Sequence, residues 1–331
     1  MELALVIAVV IIALVFDYTN GFHDAANAIA TSVSTRALTP RVALILAAVM
    51  NLLGALISVG VAETIGSGII TPSQDAHGMT VVFSGLVGAI AWNLVTWRLG
   101  LPSSSSHALI GGLIGAGIAA SVTVHWDVIL DKVALPMIMS PLLGFCLAYL
   151  VMLAILWIFR RANPGGVQRG FRMGQAVSAA AMAFGHGLQD AQKTMGVIVL
   201  ALVTADLHSG TGVPLWVKLS AALAIALGTY SGGWRIMRTL GRRVIKLDPA
   251  RGVAAELTAS GVLYVMAIGL HAPVSTTHTI SSAIMGAGAT QRLSAVRWGM
   301  AGNIVTAWIL TIPMAAAVAA LVYFVAQFFL P

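Results

Sequence analysis

Two carboxylates lie inside apolar runs of the chain. They belong to Gly21-Phe22-His23-Asp24-Ala25-Ala26-Asn27 and Gly187-Leu188-Gln189-Asp190-Ala191-Gln192-Lys193. A charge at membrane depth costs about 2.5–3.5 kcal/mol on insertion scales, so Asp24 and Asp190 need a cavity or a partner. Helical spacing puts Asp24, Asn27 and Thr31 on one face, with His23 and Asn27 one turn apart. Asp190, Lys193 and Thr194 share a face in the same way. Lys193 could neutralise Asp190 or lend positive potential to an anionic substrate, and both readings stand. One such Asp could be a structural pair. Two in matching repeat positions weaken that structural reading.

Two hydroxyl-rich segments suit the opposite charge. Pro102-Ser103-Ser104-Ser105-Ser106-His107 and Pro273-Val274-Ser275-Thr276-Thr277-His278 each open on proline, which fits the first turn of a helix. Hydroxyls and free N–H groups at a helix start form an anion site, aided by the helix dipole. Two such starts could meet near the midplane and hold one anion through Ser104, Ser105, Ser106, Ser275, Thr276 and Thr277. The plainer reading is capping or close helix packing. His107 and His278 follow the hydroxyls. Their surroundings lack the spaced ligand pattern of a dedicated metal site, which leaves orientation of the loop by hydrogen bonds. His186, ahead of Asp190, is ambiguous.

The elements that position these groups are membrane helices. The 331 residues are 59% hydrophobic and 9% charged, against about 25% charged in a soluble domain, and the mean hydropathy is +0.94. Cys146 is the sole cysteine, so neither a disulfide framework nor a cysteine metal site is expected. The first apolar run reads as a retained span, since no basic region precedes it. Ten spans are expected, at 3–35, 42–62, 79–97, 102–124, 133–159, 173–204, 213–234, 253–270, 272–290 and 298–330, with the first and sixth interrupted by polar residues. Every second loop is basic, which explains the net charge of +7 as membrane orientation rather than nucleic-acid binding. Both termini then lie outside. Trp126, Trp216, Trp234 and Trp298 sit near span ends, as interfacial anchors do.

The paired motifs recur at offsets of 166 and 171 residues. Five crossings separate the copies, and an odd number inverts the second half. The expected fold is therefore all-α and integral to the membrane. It has about ten transmembrane helices (10–12 elements) in two inverted repeats, with discontinuous helices or re-entrant hairpins, as in many secondary transporters. The repeats are expected at 1–159 and 173–331, joined by a basic cytoplasmic loop at 160–172.

These motifs, four in order over nearly the whole chain, resemble those of the inorganic phosphate transporter (PiT) family. That family carries duplicated signatures near Gly-x-Asn-Asp-x-Ala-Asn and Gly-x-Asn-Asp-x-x-Lys and paired Pro-x-Ser-x-Ser/Thr-His segments. The resemblance implies a phosphate symporter with phosphate among hydroxyls and half-helix ends, and with the Asp motifs serving the driving cation. By motif position it carries over Asp24, Asn27, Asp190, Ser104, Ser106, Ser275 and Thr277. Ser105 and Thr276 come from the anion-site reasoning. His23, Asp24, Asn27, Gln189 and Asp190 are the cation-coupling set, and Thr31, His107, Lys193, Thr194 and His278 support. His23 and Gln189 replace the Asn of sodium-coupled members, and Asn51 replaces what looks like a family Glu. Histidine titrates near neutral pH and offers nitrogen where sodium wants oxygen, so proton coupling is expected.

The functional expectation is a secondary symporter of the bacterial inner membrane. It imports inorganic phosphate with protons, or as a metal-phosphate complex, and needs no cofactor. The near rival is a sulfate permease of the same architecture. A divalent-metal transporter using His23, Asp24, Asp190 and His278 fits the hydroxyl segments poorly. An enzyme built on Ser106-His107 is disfavoured, because adjacent helical residues point apart. Apolar outer faces would permit a homodimer, and the basic loops at 159–172 and 234–252 could receive a cytosolic regulatory protein. Orientation alone explains those charges.

Overall fold

The computed structural model describes residues 2–210 and 212–329. The described residues form thirteen α-helices in order. α1 (Glu2–Ser34), α2 (Pro40–Ala55), α3 (Gly60–Gly68), α4 (Ala76–Leu99) and α5 (Ser105–Ala119) come first. α6 (Trp126–Val128) then runs through a π-helical turn into α7 (Leu135–Ile158). The second half holds α8 (Pro164–Thr204), α9 (Leu215–Ser231), α10 (Trp234–Arg238), α11 (Pro249–Tyr264), α12 (Thr276–Ala289) and α13 (Trp298–Ala326). A two-residue antiparallel pair, β1 (Ile70–Thr71) with β2 (Thr123–Val124), ties two connecting loops together.

By length and composition, five helical stretches among the described residues suit a full crossing: Leu3–Ser34, Ala76–Leu99, Trp126–Ile158, Pro249–Gly269 and Trp298–Ala326. A sixth arises if Leu215–Ser231 and Trp234–Arg243, bent by 56° at a short break, count as one. The ten expected spans thus correspond to real elements, but not to ten plain crossings. α5 has 15 residues and α12 has 14, lengths of about 22 and 21 Å at 1.5 Å per residue. The bilayer core is about 30 Å thick. The hydropathy of 102–124 and 272–290 continues through the non-helical stretch before each helix and conceals how short the helix is. The expected span at 42–62 is likewise broken between α2 and α3.

Two expectations are corrected outright. α1 and α8 run unbroken through Asp24 and Asp190, so the polar motifs do not interrupt their helices. Much of 160–172 is helix, because α8 starts at Pro164. Proline opens the helix where its missing N–H costs nothing, and the Asn163 side chain caps it by accepting from the Gly165 N–H at 3.0 Å. At 41 residues, or about 60 Å, α8 is twice as long as a bilayer core is thick.

The two halves interlock. α1 packs on α9 and α2 on α8, while α5 packs on α13 and α12 on α7. Each half thus supplies the wall against which the other half's motif helix or short helix rests. Gly21 and Gly187, the first residues of the paired motifs, make this approach feasible. A Cβ on Gly21 would fall on the Ile225 carbonyl oxygen, and one on Gly187 would fall on that of Asn51. Small residues permit such close contact between membrane helices.

Candidate anion and cation site

α1 and α8 carry their carboxylates to the place where the short helices α5 and α12 begin. All sixteen residues singled out in the sequence are buried. Their contacts separate them into a central cluster, a supporting layer and one residue that lies elsewhere.

Asp24 and Asp190 form the centre. The His23 Nδ1 lies 2.5 Å from Asp24 Oδ1, and the Thr277 hydroxyl reaches both Asp24 oxygens at 3.3 Å. Asp190 pairs with Lys193 and accepts from the Thr276 hydroxyl at 3.3 Å and from Asn20 Nδ2 at 3.4 Å. Lys193 is therefore the direct partner of Asp190. Asn27 donates from Nδ2 to the Thr277 hydroxyl at 2.8 Å, while its Oδ1 has no partner among the described residues. Thr276 and Thr277 are consecutive, yet each bonds a carboxylate from a different half of the chain.

His186 lies between the carboxylates. Its Nε2 is 3.1 Å from Asp190 Oδ2 and 3.9 Å from Asp24 Oδ2. The Nδ1 faces Asn51 Oδ1 at 3.1 Å, and Asn51 Nδ2 donates to the Thr229 hydroxyl at 2.6 Å. An amide oxygen can only accept, so Nδ1 carries hydrogen and Nε2 is left to face the carboxylates. Asp24, His186 and Asp190 bring one ligand atom each within 4.8 Å of one another. That donor set could hold a metal, although Lys193 already takes one side of Asp190. It differs from the set named for the rival metal-transporter reading, since neither His23 nor His278 is in it.

The short helices are capped alike. The Ser104 hydroxyl accepts from the His107 N–H at 3.2 Å, and the Ser275 hydroxyl accepts from the His278 N–H at 3.1 Å. Ser106 crosses between the segments and donates to the Val274 carbonyl at 3.0 Å. Ser105 makes no side-chain hydrogen bond among the described residues. The rings of His107 and His278 meet edge to face with centroids 4.6 Å apart. His278 also stacks on Trp308 at 3.9 Å, whose indole donates to the Pro102 carbonyl at 2.9 Å. The two histidines thus hold the segments together by ring packing rather than by the expected side-chain hydrogen bonds. Gln189 ties α8 to the segment before α12 by donating to the Ala272 carbonyl at 3.1 Å.

The sequence model of the Phosphate transporter family matches residues 20–319. The chain belongs to that family. It is 46% identical over 326 residues to a probable low-affinity inorganic phosphate transporter of Bacillus subtilis (strain 168), covering 98% of this chain and 97% of that one. It is 50% identical over 327 residues to a protein of the same description from Rhizobium meliloti (strain 1021), with the same coverage. A solved structure described as the sodium-dependent phosphate transporter superposes with a TM-score of 0.89, at 24% identity, over 98% of this chain and 99% of that one. That likeness bears on the fold. As a family member, the chain is a transporter rather than an enzyme, and a multi-pass protein of the bacterial inner membrane.

In this phosphate transporter family member, Thr31 shares a helix face with Asp24 and Asn27 but serves another site. It donates to Glu256 of α11, which also accepts from Ser178. Thr194 neighbours Asp17, and neither the Thr194 hydroxyl nor the Asp17 oxygens have a well-formed partner among the described residues. Several buried polar residues were not singled out from sequence: Asp17, Asn20, Thr96, Ser103 and Glu256. Thr96 and Ser103 bond each other at 2.7 Å and lie 3.2 and 3.4 Å from His23 Nε2. Asp17 and Asn20 stand seven and four residues before Asp24, which puts them on its helical face. Glu256 is a lone carboxylate in an apolar run. Both signals were available in the sequence.

Proposed function

We propose that the chain imports inorganic phosphate by symport with protons, with the anion held between the starts of α5 and α12 and the protons on the group around Asp24, His186 and Asp190. The observation that carries this reading is the pair Thr276 and Thr277, whose hydroxyls bond Asp190 and Asp24. A hydroxyl has one proton to donate. While the carboxylates are ionised they hold these protons and repel an incoming anion. Protonating the cluster lowers that repulsion and frees the hydroxyls to turn towards phosphate. Loading the cation and the anion together is therefore easier than loading the anion alone. Rearrangement of the interlocked halves then exposes the site to the other side.

The nitrogen bases in the cluster support protons over sodium. His23 stands against Asp24, Lys193 against Asp190, and His186 Nε2 faces both carboxylates. A sodium ion would have to displace these bases and find oxygen ligands, whereas a proton only redistributes among them. The carboxylates also favour phosphate over sulfate, because phosphate keeps a proton to donate near neutral pH and sulfate does not. A metal-phosphate complex would use the same hydroxyls.

The test is uptake of labelled phosphate into proteoliposomes under an imposed pH gradient, with and without sodium and with sulfate as competitor. Proton-driven, sodium-insensitive uptake that sulfate inhibits poorly is expected. Uptake that requires sodium and ignores the pH gradient overturns the coupling, and strong sulfate competition overturns the substrate assignment.

A further inference from the structure

A cavity of about 340 Å³ opens at the basic end of the bundle, lined by Arg98, Leu99, Gly100, Trp234, Arg235, Arg238 and Arg243. That end faces the cytoplasm by the loop-charge rule. The four arginines come from two places far apart in sequence, the end of α4 and residues 235–243. Among the described residues, none of the four pairs with a carboxylate; the arginine ion pair found is Arg251 with Asp248. Membrane orientation requires basic residues near span ends. It does not require guanidinium groups from separate elements to converge on one concavity.

The cavity wall is built rather than incidental. Arg235 Nη1 donates to the Arg98 carbonyl at 2.7 Å, and its guanidinium lies 5.1 Å from the centroid of the Trp97 ring. The Thr239 hydroxyl donates to the Gly100 carbonyl at 2.7 Å. These contacts fix the end of α4 against residues 235–239 and hold the Arg235 guanidinium at the opening. Guanidinium is the side chain that best matches the paired oxygens of a phosphate group, and the volume falls within the range of small-ligand pockets.

We propose that this cavity is a second anion site, selective for a phosphate group and separate from the transport site. Free phosphate on the cytoplasmic side and the headgroup of an anionic phospholipid offer the same chemistry. Arg98, Arg238 and Arg243 would bind its oxygens, with Arg235 positioned by Trp97 and the Arg98 carbonyl. The site lies close to the machinery above. The Gly100 carbonyl held by Thr239 is three residues from Ser103, and Gly233 lies close against the carbonyl oxygens of Phe22 and His23. The proposal does not depend on the mode of coupling.

The experiment is equilibrium binding of labelled inorganic phosphate to the whole protein in nanodiscs of zwitterionic lipid, repeated with phosphatidylglycerol present. The variants are Arg238→Gln/Arg243→Gln and, as a transport-site control, Thr277→Val. Uptake into phosphate-free proteoliposomes reports that the arginine variant is folded, and it is expected to match the wild type. In zwitterionic lipid, the arginine variant should lose one class of phosphate binding, with a Kd raised roughly 100-fold by the loss of two charge-assisted contacts. Thr277→Val should keep that class. If phosphatidylglycerol abolishes this class in the wild type and is retained through purification only when the arginines are present, the occupant is the headgroup and the site stands. Equal phosphate binding and equal lipid retention in wild type and arginine variant would overturn it.

Discussion

Replacing Thr277 with valine keeps the branched shape of the side chain and removes its hydroxyl. In the structure that hydroxyl accepts from Asn27 at 2.8 Å and donates to both oxygens of Asp24 at 3.3 Å. The site is fully buried, so water does not replace the lost partner. The stranded Asn27 donor costs about 1–3 kcal/mol of stability. A phosphate that would have received the Thr277 proton loses a hydrogen bond to a charged group, worth about 1.5–3 kcal/mol. That corresponds to a KM raised about 10- to 150-fold. The assay is initial-rate phosphate uptake in proteoliposomes, normalised to monodisperse protein, for Thr277→Val beside Thr277→Ser. The valine variant should insert and show the raised KM, while serine should stay within a few-fold of wild type. An unchanged KM with reduced yield would make the hydroxyl structural. An equal rise in both variants, one without the hydroxyl and the other with it, would show that the hydroxyl is not what binds the anion.

Two further outcomes are expected. Asp190 and Lys193 are a fully buried pair, so Lys193→Met alone should cost about 3–5 kcal/mol by leaving a charge uncompensated. Asp190→Asn/Lys193→Met should recover much of that loss in a detergent melting series without recovering uptake, and simple additivity would show that the two charges do not act as a pair. At the other end of the bundle, Asp75 caps α4: the Ser73 hydroxyl and the Gly78 N–H hold its carboxyl below the usual carboxylate range. A lowered value means the cap is fully present above the ordinary carboxylate pKa of about 3.9 and is lost as pH falls through the folded value. Asp75→Ala should therefore lower Tm at neutral pH by the equivalent of about 1 kcal/mol. The variant should converge with the wild type only in acid, and a difference independent of pH would place the effect outside the cap.

The sequence already showed why Asp24, Asp190 and the two hydroxyl segments should converge. Each is costly or unusual in an apolar run, and each has a repeat counterpart. The caps at Ser104 and Ser275 were legible too, since a serine ahead of a helix start has a local role. Contacts across the halves were not legible. Asn27 and Thr277 meet over 250 positions, and nothing local specifies that register. Thr31 lies on the correct face of α1 but meets Glu256, because the helix runs on past the centre. His186 stands one turn before Asp190, and only the fold places its other ring nitrogen on Asn51. The basic stretch after α7 looked like a loop because charge marks orientation, yet charge is compatible with the exposed helix that begins at Pro164.

The interlocking of the halves has a consequence for biogenesis. A ribosome delivers α1 first, and Asp24 enters the membrane with it. His186 follows about 160 residues later, which at roughly 5–20 residues per second is about 10–30 s. Thr277 comes later still. Of the partners that surround Asp24 in the finished protein, His23 alone is present from the start. Its imidazole can hydrogen-bond the carboxylate throughout that interval and ease insertion. Because α1 rests on α9 and α5 on α13, a nascent chain truncated after α7 has two motif-bearing helices without their walls and a carboxylate without its second-half partners. Quality control in the membrane should treat such a fragment as unfinished, and the two halves should become a stable protein only when both have been made.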